Sequence, residues 1–597
     1  MRERLRALAT FVTFAFQADA PRAVFVIALA LLEAAVRASW PLWLKLITEG
    51  ALERDLGNIV FAAAGYGGAY MLLGLTNLPR VEIEQTLVEK TSFLIDARLI
   101  ELIAEIPTIE HHERPEHVDK IKVLERERQN LGAMVYALTG SLMIYATLGG
   151  TLLLLGTVHP LLLLLPAFAL PAALAGTKAA FMRQNALDDT AETTRAAEHV
   201  MNLATSAASG METRIFRLGE MLLGRHRTLW GRFTHEMSAV ERKAALLSAG
   251  GWAIFAIAYA GALAFTALRV VADPASVSIG DLVMTISITG SLIERLGGAV
   301  LTVRWLGSNL KVVGRYLWLV DEAEAARARA GGSNPPPQAL ERGLELRDLT
   351  FRYPGTDIDV LRGLDLSIPA GATVALVGEN GAGKTTLVKL MCGMYQPTQG
   401  SILVDGQDLG ELSLLRWREQ ISAGFQDFVR FELAAREAVG VGELSSMSDA
   451  AAVLAALDRA HARGVVDELP SGLETQLGKL FSGGVQLSVG QWQKVALGRA
   501  MMRHEPLLLV LDEPTASLDA DAEHALFEQY AGAARRVAAR NGGITVLVSH
   551  RFSTVRMADV IVVLERGRIV ESGTHDDLTA RGGLYAELYT LQARAYR

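Results

Sequence analysis

With a single cysteine in 597 residues, Cys392, the chain can close no internal disulfide. That cysteine lies in LVKLMCGMY, an expected helix, where it reads as a small packed side chain. A basic surplus is also missing. Lysine and arginine number 58 against 65 acidic residues, a net charge of −7, so a nucleic-acid partner has no electrostatic support. Charge is absent altogether from Gln129 to Thr177. Such a run excludes a solvated element and is too long for one membrane crossing, so His159-Pro160 marks a turn between two spans.

What is present is a mixture. Half of the residues are hydrophobic and mean hydropathy is +0.26, yet 21% are charged, which reads as membrane plus soluble. A spanning helix needs about 20 mostly apolar residues. Six candidates lie at 23–47, 57–79, 131–157, 160–177, 244–268 and 280–303. Six crossings return the chain to its starting side. The loops ITEGALERDLGN, TVHP and RVVADPASVS are short and poor in Lys and Arg, whereas 80–128 and 178–243 are long and repeatedly basic. The Lys and Arg bias places those long loops and both termini in the cytoplasm, with helices continuing below the membrane.

Charges within the spans narrow the reading further. Glu33 and Arg37, four apart on the first span, share a face and are expected to neutralise one another. Glu294 and Arg295 are adjacent and cannot point the same way. Either they line a wet cavity, as candidate substrate contacts, or they lie below the bilayer edge. DEAEAARARAGGSNPPPQALERG, residues 321–343, is expected to be a linker. From Leu344 short β-branched runs (LELRDLTF, ATVALVG, LLLVLDE, ITVLVSH, VIVVLERGRIV) alternate with helical stretches, the pattern of a soluble α/β domain.

Two motifs in that domain carry chemistry. TVALVG runs into GENGAGKT, Gly378 to Thr385, and then a helix. A strand before and a helix after make this a phosphate-binding loop: Gly378, Gly381 and Gly383 let backbone N–H groups wrap phosphates, Lys384 reaches the β and γ phosphates, and Thr385 offers a hydroxyl to Mg²⁺. LLLVLDEPT is a buried strand ending in Asp512, suited to hold the metal's water shell, and Glu513, suited to polarise an attacking water.

GENGAGKT, LSVGQ, LLLVLDEPT, ASLD and VSH stand in the order and approximate spacing of the ATP-binding cassette, and the whole chain resembles an exporter-type half-transporter of that superfamily. The resemblance implies an all-α six-helix transmembrane domain followed by an α/β P-loop ATPase domain. Its divisions would be an interfacial helix at 1–22, the transmembrane domain at 23–320, the linker at 321–343 and the nucleotide-binding domain at 344–597. Tyr353 matches the adenine-stacking aromatic, and Gly378, Glu379, Asn380, Gly381, Ala382, Gly383, Lys384, Thr385 and Thr386 the ATP loop. Gln426, with Thr385 and Asp512, would reach Mg²⁺, while Glu513 and His550 would act in catalysis, with Gln426 also near the attacking water. Ser517, Leu518 and Asp519 match the loop crossing the dimer interface.

Leu487, Ser488, Val489, Gly490 and Gln491 match the signature, which in the family binds ATP held by the other subunit. Val489 stands where the commonest form has glycine. FSGG, residues 481–484, lacks the Gln and the following helix and reads as a lead-in loop. METRIFRLG, residues 211–219, resembles the second intracellular coupling segment. TQLGKLF, residues 475–481, departs from the usual form by carrying Lys479 where exporters often have Glu.

These matches imply ATP and Mg²⁺, membrane lipids, a transported drug, lipid or peptide, and a second half-transporter, with a homodimer the simplest assembly and a heterodimer the alternative. The setting would be a bacterial plasma membrane. MRERLRALATFVTFAFQADAPR imitates a secretion signal, but cleavage would carry the ATPase outside, so residues 1–20 are read as an interfacial helix with Arg2, Arg4 and Arg6 near anionic headgroups. An importer on the same fold is a second reading, and a soluble cassette protein of translation or DNA repair a third that the six spans disfavour. No peptidase domain fits before residue 23.

Overall fold

The computed structural model describes residues 2–595 apart from 207–208, 274–275, 331, 480, 513–531, 533 and 550–554; a few side chains elsewhere, that of Glu294 among them, also fall outside it. It contains two compact units, residues 1–100 with 122–318, and residues 101–121 with 319–597.

Long helices dominate the first part of the chain: α1 (Arg2–Glu53), α2 (Leu56–Ala104), α3 (Glu110–Glu113), α4 (Pro115–Val158), α5 (Leu165–Asp189), α6 (Ala191–Thr205), α7 (Gly210–Ile215), α8 (Gly219–Ala272) and α9 (Ile279–Ala330). Stretches of α1, α2, α4 and α8, and Pro160–Asp189, are long and apolar enough to cross a membrane. The sixth expected span falls on α9, which includes undescribed side chains. At about 1.5 Å per residue, α9 and α8, of 52 and 54 residues, extend about 80 Å against a hydrocarbon core of about 30 Å, so they continue well past it, as the charged loops suggested. His159 makes the turn between α4 and α5, its ring accepting the Leu161 N–H at 3.2 Å. Leu155, Leu165, Phe255, Met284, Ile288 and Leu292 form a buried cluster joining α4, α5, α8 and α9.

Two local features add to the sequence reading. Helix α1 is broken at Asp19 (φ −165°, ψ 88°), where the Asp19 carboxylate accepts the Arg22 N–H at 3.1 Å with Pro21 between them. An Asp cap followed by Pro in the first turn is a helix start, so α1 is two helical segments that meet at Asp19. The expected Glu33 and Arg37 ion pair is present, but Glu33 shares it with a second arginine. Glu33 is 0% exposed and accepts a hydrogen bond from Arg80 Nε of α2 at 2.8 Å, whereas Arg37 lies 3.8 Å away. Arg80 also donates to Glu84 at 2.7 Å, and Thr139 donates to the same carboxylate. Arg80 thus bridges two buried carboxylates, and Glu33 keeps the longer i,i+4 ion pair with Arg37 beside it.

The second unit holds β1 (Gly343–Arg352), β2 (Asp359–Pro369), β3 (Thr373–Val377), β4 (Gln399–Val404), β5 (Gln407–Asp408), β6 (Ile421–Gly424), β7 (Leu508–Asp512), β8 (Ile544–Val548), β9 (Val560–Glu565) and β10 (Arg568–Gly573). An antiparallel sheet has the order β2-β1-β4-β5, and a second sheet the order β10-β9-β3-β8-β7-β6, in which the five strands from β9 to β6 run parallel. Helices α10 (Lys384–Met391), α11 (Leu414–Glu419), α12 (Ala435–Gly440), α13 (Ala450–Arg459), α14 (Arg463–Asp467), α15 (Val489–Ala500), α16 (His575–Arg581) and α17 (Leu584–Ala595) complete the described elements. VIVVLERGRIV, read as one run, is a hairpin. Arg566 (φ 47°) and Gly567 (φ 78°) supply the two positive φ values of a tight two-residue turn.

The expected linker at 321–343 is corrected in its first half, which is the end of α9 as far as Ala330. DEAEAARARA is rich in strong helix formers, and only the following Gly and Pro residues break the helix. Cys392 caps α10 inside the core, where burial pushes its thiol up to about 12, consistent with a packing role.

Candidate functional site

β3 is buried and delivers the chain to the loop Gly378–Gly383 at the start of α10. Gly378 (φ 153°) passes so close to the Leu564 carbonyl that a Cβ would lie 2.2 Å from it, and Gly383 has φ 103°. Lys384, 7% exposed, donates through Nζ to the carbonyls of Gly378 (2.8 Å) and Glu379 (3.0 Å), closing the loop around its amine. Glu379, Asn380, Gly381 and Thr385 are exposed, while Ala382 and Thr386 are buried. The Thr385 hydroxyl is 3.2 Å from Asp512 Oδ2, and Asp512, 2% exposed, ends β7 two strands from β3. The sheet therefore brings together two motifs separated by 127 positions. Thr385 and Asp512 are hard oxygen donors of the kind Mg²⁺ takes beside phosphate oxygens. Among the described residues no group of three or more His, Cys, Asp or Glu could hold a metal ion.

Tyr353 sits beside the loop. Its hydroxyl is 2.9 Å from Thr386 Oγ1, and its ring packs edge-on against Phe351 and Tyr395. Gln426 is exposed in the turn after β6; Gly424 pairs with Leu511, so Gln426 leaves the sheet at the edge where Asp512 ends β7.

LSVGQ starts α15. Ser488 Oγ accepts the Gln491 N–H at 3.2 Å and Gln491 Oε1 accepts the Ser488 N–H at 2.9 Å, a reciprocal cap. Leu487 is buried. Val489 is helical, 60% exposed and free of positive φ, so nothing at this position demands glycine. Trp492, Val495 and Leu497 anchor α15 in a core with α12, α13 and α14, whereas Leu387, Val388 and Leu390 anchor α10 in another. The loop 481–484 carries no helix, and Lys479 is exposed. Glu513, Ser517, Leu518, Asp519 and His550 lie outside the described residues.

Sequence reading missed the segment 101–121, which belongs to the unit of the α/β domain. Ile109 N–H donates to Met394 O at 3.3 Å, Glu113 pairs with Lys389 at 3.0 Å and accepts from the Tyr395 hydroxyl, and the Arg418 guanidinium donates to the carbonyls of Pro107 and Gly393. The helix α3 thus sits on the phosphate-loop helix, through Lys389, and on the residues that directly follow it. EHHE carries no periodic signal, so only the tertiary contacts reveal it. By contrast α7, inside METRIFRLG, exposes Met211 and Ile215, with Phe216 exposed just after it.

His111 of this segment is buried, and burial together with the charges of His112 and His117 holds it at about 4. In the unfolded chain the ring takes a proton near pH 6.5. The folded form, which refuses that proton, keeps its full stability above about pH 6.5 and loses on the order of 2–3 kcal/mol as pH falls toward 4. The melting temperature of the intact protein should accordingly drop more steeply over that window than that of His111→Leu. Parallel slopes would show that His111 does not couple protonation to folding.

A family model of the ABC transporter matches residues 361–516. The ATP-dependent lipid A-core flippase of Aromatoleum aromaticum is 36% identical over 53% of this chain and 50% of its own length. The subtilin transport ATP-binding protein SpaT of Bacillus subtilis is 30% identical over 65% of this chain and 62% of its own length. The chain thus spans about half to three fifths of these relatives. In fold it is similar to a bacterial Atm1-family ABC exporter solved with ATP bound, with a TM-score of 0.71 at 23% identity over 96% of this chain and 99% of the other. Family match, aligned cassette and shared fold converge: residues 361–516 match the ABC transporter family, and the chain has the fold of that exporter, a helical part followed by an α/β ATP-binding domain.

Proposed function

We propose that two copies of this chain form an ATP-driven exporter of an amphipathic molecule. The observation that carries the reading is the meeting of Thr385 with Asp512 beside a closed phosphate loop, in a chain that also has helices suited to cross a membrane. In this scheme Gly378 to Gly383 wrap the phosphates, Lys384 turns from its loop carbonyls to the β and γ phosphates, and Tyr353 stacks on adenine. Thr385, Asp512 and Gln426 would hold Mg²⁺, which neutralises phosphate charge when bound. Glu513 polarises the attacking water and His550 senses the γ-phosphate.

Ser488 and Gly490 complete the site of the partner chain. The placement of α10 and α15 in separate cores supports this division, because each half of the site is rigid without the other. Ser517, Leu518 and Asp519 cross between the copies. The segment with α3 and the exposed apolar α7 would pass cassette closure to the membrane helices. Relatives named as a lipid A-core flippase and a subtilin transport protein favour a lipid or peptide cargo and a bacterial plasma membrane, with the cassettes in the cytoplasm. No observation favours the importer reading.

Inside-out proteoliposomes test the direction. ATP should drive a fluorescent amphipath into their lumen, and ATP-dependent movement out of the lumen would overturn export.

A further inference from the structure

We propose that an intramembrane cavity between α1, α4 and α9 binds the anionic headgroup, phosphate or carboxylate, of the transported amphipath. The inference rests on the transporter reading above and names the substrate class for it. The cavity, about 430 Å³, is lined by Arg37 and Trp40 of α1, Thr147 of α4, and Ser287, Ser291 and Arg295 of α9. Met143 and Ile144 add an apolar wall.

Three features point to an anion. First, both charged side chains lining the cavity among the described residues are guanidinium groups, brought by different helices separated by more than 250 positions. Cationic groups within a span are costly and face a bundle interior or a wet pathway, so two converging on one space mark a functional site. Second, no carboxylate among the described residues lines the cavity. Glu33 and Glu84 share Arg80 and neither lines the cavity; Arg37 keeps a longer ion pair with Glu33 at 3.8 Å while its side chain stays 37% exposed. Third, Arg37 Nε and Trp40 Nε1 are buried and have no hydrogen-bond partner among the described residues. Such donors are costly to leave unmade, and oxygens of a phosphate or carboxylate would satisfy both. The neighbouring hydroxyls add short-range polar contacts, while Met143 and Ile144 suit the first carbons of an apolar tail.

The test uses the full-length protein in nanodiscs of phosphatidylcholine, with ATPase stimulation and direct binding as readouts. Dodecyl phosphate should bind and stimulate turnover, and dodecyltrimethylammonium, of equal chain length, should do so poorly. Inorganic phosphate distinguishes the source: binding of dodecyl phosphate alone indicates a ligand taken from the bilayer, and binding of both an aqueous anion, each consistent with the site. Arg37→Gln and Arg295→Gln should each raise the half-saturating dodecyl phosphate concentration about tenfold, the loss of one charge-assisted hydrogen bond. Arg37→Lys, which keeps the charge, should lose less than Arg37→Gln. Equal stimulation by the cationic probe, or unchanged dodecyl phosphate affinity in both Gln variants, would overturn the anion site. Transport of neutral or cationic amphipaths under those outcomes would leave the export reading standing, whereas absence of any ATP-driven transport would remove that reading instead.

Discussion

A mixed dimer with Lys384→Ala in one protomer and Ser488→Arg in the other should retain about half of wild-type ATP turnover, while each homodimeric variant falls about 10²–10³-fold, the scale of losing one preorganised charge-stabilising group. The arithmetic follows from sites shared between chains. If a phosphate loop works with the partner's signature, both defects fall on one site of the mixed dimer and the other is intact. If each chain completes its own site, both sites are damaged and turnover disappears. Single-turnover hydrolysis by tagged, co-purified heterodimers reads this directly. Lys384 is buried against its own loop carbonyls, so its loss would also loosen the loop. Ser488 caps α15, and arginine there removes both the cap and the space for a phosphate.

Glu513→Gln should bind ATP with near-normal affinity and hydrolyse it about 10²–10⁴-fold more slowly, the contribution of a positioned general base. Glutamine keeps the size of the side chain but cannot accept the proton of an attacking water. Asp512, next to it in sequence, ends a fully buried strand and meets Thr385, so the strand's register is set independently of residue 513. Trapped dimers with bound ATP should accumulate on a sizing column. Sustained turnover by this variant would assign the base to another residue and leave the mixed-dimer experiment unaffected.

Within the cassette, much was legible in the sequence because the motifs are local. A phosphate loop is a run of backbone with glycines at fixed steps, and the strand before it and the helix after it follow from the same short stretch. The signature is likewise a capped helix start, and Ser488 with Gln491 spells the cap three residues apart. The hairpin at Arg566-Gly567 was less readable, since the turn interrupts an apolar run without Asn or Asp to mark it. The helical end of α9 was misread because Gly and Pro beyond residue 330 coloured the whole segment as linker, although its own residues favour helix.

By itself, then, the sequence determined the two-part architecture, the apolar spans and the chemistry of the nucleotide loop, since each rests on a periodicity or spacing that neighbouring residues supply. Only the tertiary structure decided which partner each charge takes. Glu33 took Arg80 from another helix as its hydrogen-bond partner beside the longer pair with Arg37, Glu113 and Pro107 found Lys389 and Arg418 far along the chain, and Arg37 and Arg295 converged on one cavity. Hydrogen-bond and ion-pair energies depend on distances of a few ångströms, and helix packing, which sequence spacing does not specify, sets those distances.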